Sequence, residues 1–240
     1  MTIINNTTED FMEDSMDAFI LMTRVPIEGE AKTRLIGNLS KKECANLQLN
    51  FLKDIISLFD YVKNYADIFI TYTPEDKFKI IRDIIPYYVI PFPQKGISLG
   101  ERMKYAFEYV LSKHYDRVVL MGSDIPMVKY NHIIDAFKAL YNNDVVIGPT
   151  FDGGYYLLGM KRLYKSLFDD SVKWGGESVF ERTVNIAREN NLNVSIAQKN
   201  RDIDTYEDLI YLAENISNCK KAGQPYPYNT GKFLEKIGVI

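Results

Sequence analysis

Lys32 and Arg34 stand two residues apart in the stretch PIEGEAKTRL (residues 26–35), shortly after Gly29. A connecting loop needs only a turn residue. Two fixed cations beside a glycine suit an anion. Lysine supplies a point charge, arginine a bidentate fork, and glycine lets the backbone come close. The spacing is not that of a Walker loop, since no GxxxxGK is present. Phosphate oxygens are the expected ligand.

Four further stretches carry complementary chemistry. In QKGISLGERM (94–103), Gln94 can donate and accept, as base recognition requires. Gly96 and Gly100 leave room for a flat base or ribose against the backbone. In GSDIP (122–126), Asp124 ends an apolar run, a good place for a carboxylate that holds Mg²⁺ or Mn²⁺ together with phosphate oxygens and water. In GPTFDGGYY (148–156), Asp152, Gly153 and Gly154 can shape an acceptor site, although Asp-Gly-Gly also suffices for a plain hairpin. In DIDTYEDL (202–209), Asp204 is a second candidate metal ligand, while Thr205 and Asp208 fit a capping box. Cations, a metal site and glycine-lined space together describe a nucleotide polyphosphate pocket. No nucleophilic Ser/His or Cys/His arrangement is visible, and His114 and His132 are expected on helices away from these loops.

These loops need a frame. Short apolar runs at 18–23, 68–72, 87–91, 118–121, 145–148, 155–160 and 193–197 read as buried strands. Helical patterns lie between most of them. One follows Ser40-Lys41-Lys42-Glu43, a capping box, and buries Leu47, Phe51, Leu52, Ile55, Ile56 and Phe59. Others centre on Leu99–Leu111, on Ile133 to Tyr141, on Val179 to Ala187 and on Leu209 to Leu212. The alternation predicts an α/β fold of three layers, a mostly parallel sheet with helices on both faces. Only six residues separate the runs at 145–148 and 155–160, so the sheet is expected to be mixed there. In such sheets ligands bind beyond the carboxyl ends of the strands, where most of the loops above fall.

The bulk numbers set bounds. The chain has 240 residues, a net charge of −3 and 46% hydrophobic residues. That length can bury a large core without a disulfide or metal staple. Cys44 and Cys219 show no pairing or metal-ligand pattern and read as reduced thiols of a cytoplasmic protein. The charge argues against nucleic acid as a partner. No apolar run is long enough to span a membrane. Residues 1–16 are polar and acidic, unlike a secretory signal, and are expected to form an extension tied down at Phe11 and Met12. Residues 17–240 are expected to form a single domain, with a C-terminal irregular arm marked by Gly223, Pro225 and Pro227. The Tyr- and Phe-rich composition leaves room for an apolar homodimer surface.

PIEGEAKTRL, QKGISLGERM, GSDIP, GPTFDGGYYLLGM, the single Trp174 and DIDTYEDL, in this order, resemble the radical-SAM/selenodomain-associated transferase family. That family is GT-A-like and is similar to 2-phospho-L-lactate guanylyltransferase. The resemblance spans about residues 17 to 215. It implies a nucleotide-diphospho-sugar transferase fold, with nucleotide at the first loop and a divalent metal at Asp124, with Asp204 as a second ligand. It puts phosphate on Lys32 and Arg34, a further cation at Arg24, Gly29 in the turn, and the acceptor beside Asp152, Gly153 and Gly154. The chain departs from the family pattern at Arg24, where lysine is commoner, and at Gly175-Gly176-Glu177.

Two reactions fit these residues. In nucleotidyl transfer, an NTP places its base near Gln94 and Gly100. Lys32, Arg34 and the metal on Asp124 then neutralise charge at the α-phosphate, while a small phosphorylated or carboxylate acceptor attacks in line. In glycosyl transfer from a nucleotide sugar, the metal stabilises the departing diphosphate and Asp152 acts as base. A third reading is a non-catalytic nucleotide-binding protein on the same fold. Paired cations in the first loop favour a triphosphate, hence nucleotidyl transfer.

Overall fold

A computed structural model describes residues 16–169, 172, 174, 176 and 178–240. The expected extension up to residue 15, with Phe11 and Met12, and the departures at Gly175 and Glu177 lie outside the described residues. The strands are β1 (Asp17–Arg24), β2 (Asp67–Thr73), β3 (Ile90–Pro93), β4 (Arg117–Gly122), β5 (Val145–Pro149), β6 (Tyr155–Met160) and β7 (Val194–Ile196). The helices are α1 (Lys41–Ile56), α2 (Phe59–Val62), α3 (Lys79–Arg82), α4 (Leu99–Leu111), α5 (Tyr130–Asn142), α6 (Val179–Glu189), α7 (Tyr206–Lys221) and α8 (Tyr228–Lys236). The strands form one sheet in the order β3-β2-β1-β4-β6-β5-β7. β6 runs antiparallel to both β4 and β5, and the other pairs are parallel. The mixed sheet expected from the short 145–160 connection is therefore present.

The alternation of side chains along β1 divides the core. Phe19 and Leu21 face α1, α2 and α5 through Leu52, Ile55, Phe59, Ile133 and Phe137. Ala18, Ile20 and Met22 face α4 and α6 through Met103, Phe107, Val110 and Val184. Burial on both faces explains the nearly continuous apolar run of this strand. A third core joins Leu35 and Leu39 to Leu47 and Phe51 of α1, Leu209 and Leu212 of α7, and Leu234 of α8. It holds the cation-bearing first loop against the body of the protein.

Three expectations shift. β3 starts at Ile90, because the Val89 amide closes a turn onto Pro86 O at 3.0 Å. Pro91 and Pro93 then turn their missing donors to the open edge, while Gln94 N reaches Tyr72 O at 2.8 Å. The C-terminal arm is not irregular: α8 forms because the buried Asp54 of α1 accepts the Asn229 and Thr230 amides, each at 2.8 Å. His114 lies past α4 in a left-handed turn (φ +69°), whereas His132 is on α5. No helix among the described residues is long and apolar enough to cross a membrane.

From β1 the chain moves outward through β2 to β3, and then returns to place β4 on the other side of β1. The carboxyl ends of β1 and β4 are thus a topological switch point, where such sheets open a crevice.

Candidate active site

Thr23 on β1 and Ser123 just past β4 join the two strand ends through their hydroxyls, 3.0 Å apart. The Gln48 amide of α1 donates to Ser123 Oγ at 3.0 Å. All three side chains are buried. A buried polar tie of this kind fixes where the following residues, Arg24 and Asp124, leave the sheet. Asp124 O then accepts the Ile203 amide at 3.0 Å. That bond brings the 202–204 segment beside Asp124 from the far end of the chain.

Lys32 occupies the centre. Its backbone is left-handed (φ 48°, ψ 44°), uncommon for a residue with a side chain. Nζ lies 2.6 Å from Asp124 Oδ1. It also lies 2.7 Å from Ile203 O and 3.2 Å from Asp204 Oδ1. The side chain is only 4% exposed and passes over the Phe51 ring. Burial pushes the ammonium toward neutrality, but Asp124 and Asp204 outweigh it, and the pKa ends above the ordinary lysine value. An ammonium has three donors, and these three acceptors use them all. In this structure Lys32, the expected phosphate ligand, is turned onto carboxylates. Arg34 is 68% exposed and touches Asp204 Oδ2 at 3.3 Å, which leaves most of its fork free.

Two adjoining cavities meet at this point. The larger, of about 560 Å³, carries Arg24, Gln94, Asp124, Asp152 and Asp202, with an apolar wall that includes Met22, Leu120 and Leu158. The smaller, of about 220 Å³, carries Arg24, Lys32, Arg34, Gln48, Asp124 and Asp204. Arg24, Ser123 and Asp124 belong to both.

The remaining expected residues divide. Gln94 lines the larger cavity, but its amide nitrogen donates to Thr23 O at 2.8 Å and Thr71 O at 3.1 Å. Only its carbonyl is left for a ligand, so it accepts and does not also donate. Gly100 does make room for a flat ring, but the ring is the indole of Trp174; a Cβ at Gly100 would stand 2.3 Å from it. Gly29 (φ +83°) shapes the turn and lines neither cavity. Asp152 Oδ1 is held by Thr150 Oγ1 at 2.5 Å and by the Gly154 amide at 2.9 Å. Gly153 O accepts the Phe180 amide at 2.9 Å, which docks this loop on the start of α6. Asp152 and Gly154 line the larger cavity; Gly153 does not.

Asp202 was not singled out by its sequence. It lines the larger cavity, and its pKa is raised to about 6, first by burial and then by repulsion from Asp152 and Asp204. The available signal was the alternation Asp202-Ile203-Asp204. Ile203 is buried, so an extended chain turns both carboxylates away from the core. Tyr155 and Trp174 also line this cavity and meet edge to face at 6.4 Å. The Tyr155 hydroxyl is buried without a hydrogen-bond partner among the described residues; the nearby Thr183 hydroxyl donates to Val179 O instead.

With this geometry in hand, known proteins supply the context. Residues 62–176 match the DUF2064 family, described as an uncharacterized protein conserved in bacteria. The chain is 35% identical over 217 residues to the 2-phospho-L-lactate guanylyltransferase of Methanocaldococcus jannaschii, covering 85% of this chain and 91% of that one. The enzyme of the same name from Methanosphaera stadtmanae is 32% identical over 203 residues, covering 79% and 82%. A solved structure from Desulfovibrio desulfuricans G20, named for the nucleotide-diphospho-sugar transferases, has a TM-score of 0.82 at 32% identity, covering 93% and 95%. The 4-diphosphocytidyl-2C-methyl-D-erythritol synthase of Anaerococcus prevotii shares the fold, with a TM-score of 0.59 at 13% identity over 85% of this chain and 96% of that one.

Fold and relatives define a nucleotide-using transferase built on the nucleotide-diphospho-sugar transferase fold. Within that class, the chain belongs to the 2-phospho-L-lactate guanylyltransferase family.

Proposed function

We propose that this enzyme transfers the guanylyl group of GTP to the phosphate of a small phosphorylated hydroxy acid of the 2-phospho-L-lactate kind. The observation that carries this reading is the meeting of Arg24, Asp124 and Asp202 on one cavity at the switch point. An acceptor phosphate oxygen attacks the α-phosphorus of GTP. A new P–O–P bond forms and the bond to the β-phosphate breaks, so that pyrophosphate leaves with its electron pair. Such a reaction needs positioning and charge neutralisation and little proton transfer.

The chain's own residues divide that work. Arg24 stands where the two cavities join and can meet phosphate oxygens from either side. The free part of the Arg34 fork faces the smaller cavity and suits the departing pyrophosphate. Asp152, held by Thr150 and the Gly154 amide, orients the acceptor end of the larger cavity.

A divalent cation fits this donor set in a limited way. Among the described residues no group of three His, Cys, Asp or Glu side chains forms a ready-made cage. Asp124 is 46% exposed and Asp204 37%, and each offers hard carboxylate oxygen. That suits Mg²⁺ or Mn²⁺, which take one or two carboxylates and complete their shell with phosphate and water. Bound there, the ion would neutralise charge on the phosphates as the bond to pyrophosphate breaks.

Glycosyl transfer keeps a claim through the 32% identity to the Desulfovibrio protein. Thermal melts with NTPs and nucleotide sugars, with and without Mg²⁺ or Mn²⁺, separate the two. GTP at about 100 times its dissociation constant adds about 2.7 kcal/mol, a shift on the order of 5–10 °C. A metal-dependent shift with GTP supports guanylyl transfer, and a shift only with a nucleotide sugar overturns it. A cytoplasmic site of action fits the free thiols Cys44 and Cys219. Tyr87 and Ile90 stand exposed near the β3 edge, which supports an apolar homodimer surface there, and analytical ultracentrifugation tests whether it pairs.

A further inference from the structure

Lys32 sits where a phosphate-binding loop would offer a free cation, yet its ammonium is almost completely removed from solvent. Its three acceptors come from two segments remote from it in sequence: Asp124 after β4, and Ile203 and Asp204 before α7. Its left-handed backbone is costly for a residue with a Cβ and persists only where the surroundings enforce it. Here the enforcing contacts are the two carboxylates and the Phe51 ring beneath the ammonium. The residue is built into the acidic pair.

We propose that Lys32 is the resident counter-ion of Asp124 and Asp204, a positioning residue that stands in for the divalent cation between nucleotide-binding events. Two carboxylates held this close repel one another unless a positive charge lies between them. The ammonium supplies that charge in the nucleotide-free protein and keeps both side chains aimed at one point. Removing it leaves the partly buried Asp124 without compensation and Asp204 with only the exposed Arg34, which destabilises a fold more than the pair itself stabilised it. A divalent cation can then supply the missing charge. The contact with phosphate accordingly falls to Arg24 and Arg34, which keep free donors. The cation part of this inference rests on the guanylyl-transfer reading; the counter-ion part does not.

The test uses nucleotide-free protein, melted without divalent ions, as wild type, Lys32→Met, Asp204→Asn and the double variant. Lys32→Met is expected to melt roughly 5 °C or more below wild type. The double variant is expected to recover part of that loss, because one of the two carboxylates that repel each other without the lysine has been neutralised. Should Lys32→Met fail to fold, recovery of folding in the double variant supports the inference in the same way. Mn²⁺ is expected to raise the melting temperature of Lys32→Met more than that of wild type, a response that a purely structural lysine would not give. Additive losses overturn the proposal. So does a Lys32→Met protein that melts like wild type without nucleotide and loses only its response to GTP, since that lysine would be a phosphate ligand. The GTP shift of the wild type, read separately, reports on guanylyl transfer whichever way the four-variant comparison falls.

Discussion

At the scale of single residues, the site is arranged around charge that the protein already compensates. Lys32 is committed to Asp124, Asp204 and Ile203, and Gln94 spends its amide hydrogens on the ends of β1 and β2. The cation left exposed at the junction of the two cavities is Arg24. Arg24→Ala is therefore expected to raise KM for the nucleotide about tenfold or more, the loss of a charge-assisted contact, with a smaller change in kcat. Steady-state kinetics against nucleotide concentration check this. A fall in kcat at unchanged KM would move Arg24 from ground-state binding to the transition state. Much of this layer was legible as residue type: cations after Gly29, a carboxylate at the end of β4, and Asp-Gly-Gly between β5 and β6. What could not be read was pairing. That Lys32 reaches Asp204 depends on the Ile203–Asp124 backbone bond, which no local pattern encodes.

At the scale of elements, helix starts carry much of the precision. Ser98 and Glu101 form a reciprocal capping box at α4, and Glu101 also accepts the Ile97 amide at 2.6 Å. This fixes Gly100 under the indole of Trp174. Gly100→Ala is expected to push the indole out of place, at a cost of about 1–3 kcal/mol for overpacking. Trp174 is the single tryptophan, so its fluorescence reads the displacement directly as a red shift; an unchanged spectrum would contradict the packing. Helix α5 offers a second test. The Lys129 amide donates to His132 Nδ1 at 3.4 Å, which requires that nitrogen to be unprotonated. Burial, reinforced by the Lys129 cation, holds the His132 pKa below its ordinary value of 6.5. The native state thus binds fewer protons than the unfolded chain, so this contribution is present above about pH 6.5 and is lost as pH falls below it. His132→Gln keeps an acceptor at the third helical position and cannot titrate. Its melting temperature is expected to fall less than that of wild type between about pH 7.5 and pH 5.5, as calorimetry at several pH values can show.

At the scale of the whole molecule, the seven-stranded sheet was legible because its strands are short apolar runs separated by helices with clear caps at Ser40 and Thr205. The switch point followed from strand order, which the pattern suggested without fixing. Two features escaped. Helix α8 begins among prolines and depends on Asp54, a buried carboxylate of another helix, for its first amides. The raised Asp202 carboxyl depends first on its burial and then on how Asp152 and Asp204 converge around it. Both are products of tertiary proximity, which a linear pattern does not carry. The claim that unites the three scales is guanylyl transfer at the junction of β1 and β4. Its most direct test is pyrophosphate release from GTP in the presence of 2-phospho-L-lactate and Mg²⁺, with Asp124→Asn as control. Release that requires the acceptor and falls by about a hundredfold or more in Asp124→Asn is the expected result. No acceptor-dependent release from GTP, together with acceptor-dependent turnover of a nucleotide sugar, would contradict it.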